Sequence, residues 1–289
     1  MGSSQPGSGI AGKVLKRAAH PRSPRLGSDT TTVLDRLVQE SRAEVAARRE
    51  QVPEAEITAR AESAPPVRDF RSVLRRPGVA VIAEMKAASP SAGRLVAGVY
   101  DPAALAADYA RGGAAALSVL CQRTSFGGAP EHLTIARAAC RLPVLRKDFI
   151  LDEYQVIEAR AYGADALLLI VAALPRRRLA ELLAVSRSHG MAVIVEVHDE
   201  RELVVALEAG AAIVGVNHRD LRTLALDLEL TARLRASIPS DVTVVAESGI
   251  ADAAAARRLR EAGADAVLVG EALLRAPDPA ALIEEMAGA

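Results

Sequence analysis

The sequence predicts an α/β fold, a (β/α)₈ TIM barrel with an N-terminal helical extension. From about residue 79 onward, eight short apolar runs alternate with helical patterns rich in Ala, Leu, Arg and Glu. The runs begin 20 to 37 residues apart, which suits strand–helix units. Eight such units favour a closed barrel, and the open doubly wound sheet is the alternative. No G-x-G-x-x-G motif follows the first run, which disfavours that alternative.

The eight predicted strands are apolar along most of their length, which is typical of a parallel sheet covered by helices on its outer face. They are VAVIAEM from Val79, ALSVLC from Ala116, PVLRKD from Pro143, ALLLIV from Ala166, AVIVEV from Ala192, AIVGVN from Ala212, VTVVAE from Val242 and AVLVG from Ala266.

The segments between these strands carry helix start and stop signals. In DPAALAADYARGG, Asp101 is the predicted N-cap, Pro102 occupies the first helical position and Gly112 stops the helix. The helices before the fourth and eighth strands both end in a GADA phrase, at Gly163 and Gly263. This pattern indicates a C-terminal glycine followed by direct entry into the next strand.

Residues 1–29 are rich in Gly, Ser and Pro and are predicted to form a disordered leader. Residues 30–289 are predicted to form one barrel domain, with helices within residues 31–76. TTVLDRLVQESRAEVAARREQ predicts an amphipathic helix, and PVRDFRSVLRRPG predicts a second, shorter one. These helices either close the bottom of the barrel or form a flap over its mouth, where Phe70 would supply apolar surface.

The composition limits the function. The 36 basic and 36 acidic residues balance, so no global charge attracts nucleic acid or an anionic membrane. With no Trp, three Phe and four Tyr, the chain lacks platforms for stacking single-stranded bases. No apolar run reaches the length of a membrane helix. Two cysteines provide neither a disulfide framework nor a metal quartet, so we expect a cytoplasmic protein without a metal.

Charged and amide side chains stand at the C-terminal ends of the predicted strands, where active sites of such barrels lie. They are Glu84, Lys86, Lys147, Glu196, Asn217, Arg219 and Glu247. Alternation along a strand places Glu84 and Lys86 on one face, and likewise Asn217 and Arg219. If that face is the lumen, one small pocket collects opposed charges, which shift each other's pKa values as acid–base chemistry requires.

Small residues at two strand ends indicate a phosphate site. Gly249 and Gly270 close the seventh and eighth strands, and SPSAG follows the first strand from Ser89. Barrel enzymes often hold phosphate at these two strands through backbone N–H groups.

From roughly Thr31 to Glu285 the chain resembles the indole-3-glycerol phosphate synthase family. The resemblance rests on IAEMKAASPSAG, PVLRKDFILDEYQ, VNHRDL, AESGI and VLVGEAL. It implies conversion of 1-(2-carboxyphenylamino)-1-deoxy-D-ribulose 5-phosphate into indole-3-glycerol phosphate with loss of carbon dioxide and water. It implies a phosphosugar substrate, no cofactor and no nucleic acid or membrane partner. We expect a monomer or a weak homodimer.

The resemblance implies that the N-terminal helices within residues 31–76 form the flap and cap the active site. It also implies roles for individual residues. The catalytic set is Lys147, Glu196, Glu84 and Lys86. Lys147 matches the catalytic lysine that acts as the acid at the ketone oxygen, and Glu196 matches the second proton-transfer group. The substrate-binding set is Asn217, Arg219, Glu247, Ser248 and Phe126. The phosphate-binding set is Ser89, Gly249 and Gly270.

Cys121, Gln122, His218 and Glu271 depart from the family pattern, and some members carry a phosphate-binding Ser at the last of these positions. These departures leave room for a paralogue that acts on a substituted anthranilate substrate in a secondary pathway. Another alternative is a catalytically silent barrel that serves as an assembly partner. Such a barrel is expected to have lost Lys147 or Glu196, and both are present. Phosphoribosylanthranilate isomerase is disfavoured because that enzyme relies on a cysteine near the first strand, which here carries none.

Overall fold

The computed structural model describes Met1 and residues 32–90, 93–96 and 98–288. In this part of the chain, eight parallel strands close into a barrel. Each strand pairs with its neighbours in sequence, and the eighth pairs with the first through the register Ala80 to Ala266. The predicted leader, residues 1–29, falls outside the described residues except for Met1. The barrel prediction is confirmed.

Each predicted apolar run contains one strand and exceeds it by at most one residue at either end. The strands are β1 Ala80–Met85, β2 Ala116–Leu120, β3 Val144–Lys147, β4 Ala166–Ile170, β5 Ala192–Val197, β6 Ile213–Asn217, β7 Thr243–Glu247 and β8 Ala266–Val269. After β1, the two-residue segments Ala88–Ser89 and Gly93–Arg94 pair as a small antiparallel ribbon.

Among the described residues, the helices that follow β1 in the chain surround the barrel. The first two helices come before β1 in the sequence. The helices are α1 Val33–Gln51, α2 Glu54–Ser63, α3 Pro102–Arg111, α4 Arg123–Phe126, α5 Glu131–Ala139, α6 Glu153–Ala161, α7 Arg176–Ser188, α8 Glu200–Glu208, α9 Leu230–Arg235, α10 Ala253–Glu261, α11 Glu271–Arg275 and α12 Pro279–Ala287. Asp101 caps α3 as predicted, accepting hydrogen bonds from the amides of Ala103 and Ala104.

The N-terminal extension divides between the two ends of the barrel. Residues 68–75 cross the strand starts, where Arg71 donates a hydrogen bond to the carbonyl of Asp241 just ahead of β7. Phe70 and Leu74 are buried there in the interior core. The prediction that Phe70 lies over the mouth is therefore wrong. The apolar side chain is needed to close the opposite end.

The second N-terminal helix also lies elsewhere than predicted. PVRDFRSVLRRPG holds a single 3₁₀ turn, Ser72–Leu74, and the helix is α2, twelve residues earlier at its start. Tertiary contacts keep the segment open, since the Arg68 amide donates to Asp165 and its guanidinium donates to the carbonyl of Leu142. Helix α2 buries little more than Ile57 and Ala61, so its apolar pattern in the sequence is weak.

The two GADA phrases place an aspartate beneath the neighbouring strand. Asp165 Oδ2 accepts the amide of Val144 at 2.8 Å, and Asp265 Oδ2 accepts the amide of Val244 at 2.8 Å. Asp165 is completely buried and also pairs with Arg137, with Oδ1 and Nη1 separated by 2.5 Å. The same sequence phrase thus performs one backbone task twice, but only Asp165 adds a buried ion pair.

We expect Asp165→Ala to lower the free energy of unfolding by about 3 kcal/mol, because it leaves Arg137 without its buried counter-ion and the Arg68 amide without its acceptor. The matched variant Asp265→Ala loses about 1 kcal/mol, since one hydrogen bond to a strand amide disappears. Urea denaturation followed by circular dichroism measures both changes. Equal losses in the two variants would show that the contacts of Asp165 with Arg137 and Arg68 contribute nothing beyond the strand hydrogen bond.

Candidate active site

Alternation along the strands decides which side chains enter the barrel. In β1, Ala80 and Ile82 belong to the interior core, whereas Val81 and Ala83 pack outward against the helices. The next interior position is therefore Glu84. The same alternation brings the polar residues of four other strand ends inside, namely Lys147, Glu196, Asn217 and Glu247.

All twelve predicted site residues line one mouth at the C-terminal ends of the strands. The mouth comprises two adjoining cavities that share walls. The first cavity is lined by Glu84, Lys86, Ser89, Phe126, Lys147, Glu196, Asn217, Arg219 and Ser248. The second cavity shares six of these residues and adds Glu247, Gly249 and Gly270. The structure thus brings the predicted set together, while the roles of its members remain predictions.

Glu84 and Lys86 form an ion pair on the inner face of β1 and the residue that follows it. Their side chains are 8% and 14% exposed, so each charge offsets part of the other's desolvation. Gly270 makes this pair possible. A Cβ at that position would collide with the Glu84 carboxylate and lie 2.9 Å from Lys86 Nζ. The glycine that ends β8 therefore leaves room for charge from β1.

Lys147 lies at the centre of the mouth. Its Nζ is 3.0 Å from Glu196 Oε2 and 3.3 Å from Glu247 Oε2. Burial alone would lower the pKa of Lys147, but the carboxylates of Glu196, Glu247 and Glu84 outweigh it and raise the pKa. Lys147 is consequently an ammonium ion that can donate a proton to a bound group.

Glu196 is the anionic partner of that ammonium. Burial would raise the pKa of Glu196, but the charge of Lys147, together with His198 and Asn217, lowers it below the ordinary value. Asn217 Nδ2 donates to Glu196 Oε1 at 3.1 Å. Glu196 is thus a base that can accept a proton, and it lies beside Lys147, an acid that can donate one. A reaction that both adds and removes protons needs such a pair.

Glu247 behaves differently from Glu196. Burial raises the pKa of Glu247 to about 8, with Lys147 opposing the change and Glu196 reinforcing it. Oε1 is buried and has no hydrogen-bond partner among the described residues. Gly215 accommodates this oxygen, since a Cβ there would collide with it. The two carboxylates beside Lys147 are thus separated into one ionised group and one that binds a proton near neutral pH.

Asn217 connects the charged centre to the loops after β6 and β7. Its Oδ1 accepts the amide of Arg219 at 3.1 Å and the hydroxyl of Ser248 at 2.8 Å. Ser248 and Gly249 both have positive φ, 68° and 75°, so the chain turns sharply at the end of β7. This turn lines the second cavity, where Lys86 and Arg219 supply positive charge.

An apolar wall lies opposite the charges in the first cavity. It contains Phe126 and Phe149, whose ring centroids are 6.5 Å apart, and Leu168 and Ile170 of the apolar strand β4. Helix α1 completes the wall with Val33 and Leu37. Phe149 is a member of the site that was not predicted from the sequence. Its position two residues after Lys147 in PVLRKDF, on the same face, is the signal that would have found it.

A buried ionic cluster fixes α1 beside the mouth. Arg146, adjacent to Lys147 but facing outward, is fully buried between Asp148 and Glu158, each 2.8 Å from its Nη2. Arg48 of α1 joins through a 2.8 Å contact with Glu158. Ser41 of α1 donates to the carbonyl of Phe149 at 3.3 Å. The residues flanking Lys147 therefore anchor the helix that covers it.

Of the four departures from the family pattern, Glu271 lines the second cavity, whereas Cys121, Gln122 and His218 line neither. Cys121 is buried in the outer core. Gln122 donates to Glu40 of α1 at 2.9 Å and accepts the amide of Ser125 at 2.8 Å, so it positions the loop that carries Phe126. His218 lies between the Ser248 carbonyl and the Thr231 hydroxyl, and burial lowers its pKa.

Comparisons with known proteins agree with this geometry. The sequence model of the indole-3-glycerol phosphate synthase family matches residues 34–286. The chain is 57% identical over 256 residues to "Indole-3-glycerol phosphate synthase 2" of Streptomyces coelicolor, covering 89% of this chain and 99% of that one. It is 52% identical over 267 residues to indole-3-glycerol phosphate synthase of Roseiflexus sp., covering 89% of this chain and 98% of the relative.

More distant solved structures share the fold alone. Thiamine phosphate pyrophosphorylase from Pyrococcus furiosus superposes with a TM-score of 0.55 at 19% identity, covering 74% of this chain and 95% of that one. A 3-hexulose-6-phosphate synthase superposes with a TM-score of 0.56 at 18% identity, covering 72% and 98%. The family match over nearly the whole described barrel and the high identity to named relatives lead to one conclusion. The chain belongs to the indole-3-glycerol phosphate synthase family.

Proposed function

We propose that this protein converts 1-(2-carboxyphenylamino)-1-deoxy-D-ribulose 5-phosphate into indole-3-glycerol phosphate through the residues of the mouth. The observation that carries the assignment of roles is the Lys147 ammonium held between Glu196 and Glu247. The reaction needs an acid at a ketone oxygen, an apolar wall for an aromatic ring and positive charge for a phosphate. The two cavities offer these features side by side.

Ring closure is assigned to Lys147. The ring carbon that bears the carboxylate attacks the ketone carbon, and Lys147 donates its proton to the ketone oxygen, which becomes a hydroxyl. The carboxylate then leaves as carbon dioxide, and its bonding electrons return to the ring. A cationic acid suits this step because negative charge develops on the oxygen as the bond forms.

Dehydration is assigned to Glu196, with Glu84 assisting. Glu196 accepts a proton from the ring-closed intermediate, and Lys86 donates a proton to the hydroxyl, which leaves as water. Its low pKa keeps it ionised and ready to accept that proton. Glu84 and Lys86 face the same cavity as an ion pair, where they assist departure of the hydroxyl.

Substrate placement follows from the shapes and charges of the two cavities. We assign the aromatic ring to the apolar wall beside Phe126, and the phosphate to the second cavity near Ser89, Gly249 and Gly270. Lys86, Arg219 and Asn217 hold the substrate carboxylate and hydroxyls. Glu247 and Ser248 orient the ribulose portion.

The alternatives also remain open to test. A substituted anthranilate ring would have to fit against Phe126 and the α1 side chains Val33 and Leu37. A silent barrel is disfavoured because the Lys147–Glu196 pair is intact. Among the described residues no helix is long and apolar enough to cross a membrane. A cytoplasmic location and a monomeric or weakly dimeric state are parts of the same proposal.

Lys147→Ala is expected to reduce turnover by at least about 10²-fold, because the reaction loses its general acid. Turnover is followed as indole absorbance appears, and the absence of Trp keeps the protein's background low. Arg177→Ala, whose side chain is 91% exposed, serves as the control and keeps wild-type activity. Wild-type turnover in Lys147→Ala would refute the assignment of the acid.

Glu247→Gln is expected to become more stable relative to wild type as the pH rises from 5 to 8. A carboxyl whose folded pKa is raised to about 8 contributes stability at acid pH that is lost as pH increases through this window. The amide does not ionise and escapes the loss, so the relative gain is about 3 to 4 kcal/mol.

Denaturation curves at pH 5 and pH 8 measure this difference. The exposed variant Glu261→Gln is the control and shows no such trend. A pH-independent difference between Glu247→Gln and wild type would contradict the raised pKa.

A further inference from the structure

His198 lies buried between two carboxylates at the end of β5. Its side chain is 5% exposed. Nδ1 is 3.0 Å from Glu202 Oε2, and Nε2 is 3.3 Å from Glu196 Oε1. The residue falls outside the predicted catalytic and binding sets. Its contact with Glu196 nevertheless places it one side chain away from the reacting groups.

The Glu202 side of this arrangement is built to hold the imidazole ring. One oxygen of Glu202, Oε2, accepts both the His198 backbone amide at 2.8 Å and a contact from Nδ1. Asp199 caps α8 and accepts the Glu202 amide at 2.8 Å. The first turn of α8 thus fixes the position of the ring, with Nδ1 directed at a carboxylate.

The contact between His198 and Glu196 is an ionic one. Nε2 is buried and is not aligned for a hydrogen bond to any described residue. With Nδ1 committed to Glu202 and Nε2 facing Glu196, a proton on both nitrogens is the arrangement that satisfies both carboxylates. Glu196 therefore has two cationic neighbours, Lys147 on Oε2 and His198 on Oε1.

Lys147 and His198 have different tasks in the proposed reaction. Lys147 gives up its proton when it acts as the acid, and it then no longer neutralises Glu196. His198 does not line either of the cavities described above, so it has no direct path for passing its proton to a ligand bound there. A permanent cation on the far side of Glu196 is needed so that the carboxylate does not hold the Lys147 proton too tightly.

We propose that His198, held as an imidazolium by Glu202, is a positioning residue that keeps Glu196 anionic and Lys147 acidic during the reaction. The inference rests on the proposed roles of Lys147 and Glu196. Although burial lowers the pKa of His198, Glu196 and Glu202 outweigh it and raise the pKa to about 10. Each carboxylate beside His198 has a further charged neighbour, since Lys147 contacts Glu196 and the Arg222 guanidinium interacts with Glu202.

The test is the pH dependence of His198→Gln, a neutral variant that can still donate a hydrogen bond toward Glu196. Removing a positive charge raises the pKa of every nearby group. Both limbs of the pH profile of kcat therefore move to higher pH by about one unit. At neutral pH, kcat falls by about 10-fold, because Lys147 becomes a weaker acid, while KM changes by less than about twofold.

His189→Asn, at the C-terminal end of α7, is the control and leaves the profile unchanged. A His198→Gln variant with lower kcat but unmoved limbs would show a merely structural role and overturn the inference. If wild-type protein shows no turnover at all, the proposed function fails instead. The charge on His198 then still has to be decided by a measurement that does not depend on activity.

Nitrogen NMR of histidine-labelled protein supplies that measurement. The chain has five histidines, so the signals are few enough to resolve. We expect one histidine of the wild type to stay doubly protonated at pH 8, and Glu202→Gln to lower its titration midpoint by at least about one unit. A spectrum in which all five are neutral at pH 8 would overturn the inference, whether or not His198→Gln folds.

Discussion

The contact on which the site depends is the buried ammonium of Lys147 between Glu196 and Glu247. Three strand ends, those of β3, β5 and β7, supply these groups, so the charges meet only if the barrel closes in the observed register. The burial of the three side chains removes competing water. Burial raises the pKa of Glu247, whereas Lys147, His198 and Asn217 outweigh burial at Glu196 and lower its pKa, so Glu196 is ionised and Glu247 binds a proton near neutral pH.

Packing around this contact explains several features that are not charged. Positions 215 and 270 lie beside carboxylates, and both are glycine because a methyl group at either position would occupy the space of a carboxylate oxygen. Arg146 and Glu158, on the outer side of the same strand end, tie it to α1. One short strand, β3, thus presents the acid inward and anchors the covering helix outward.

The barrel and the charged strand-end residues of the mouth could be predicted because both follow from short-range patterns. Apolar runs fix the strands, and a period of two fixes which strand-end residues share a face. The N-terminal extension could not be predicted in the same way. Phe70 and an apolar residue over the mouth look alike in sequence, and contacts with residues more than 90 positions away decide where the segment lies.

The central claim is that Lys147 and Glu196 act on one ligand held across both cavities. The most direct test is a crystal structure with a substrate analogue whose ketone is reduced to an alcohol. The account predicts that this hydroxyl lies about 2.6 to 3.2 Å from Lys147 Nζ, with the phosphate at Gly249 and Gly270 and the ring beside Phe126. An analogue bound outside the mouth, or with its hydroxyl remote from Lys147, would contradict the account.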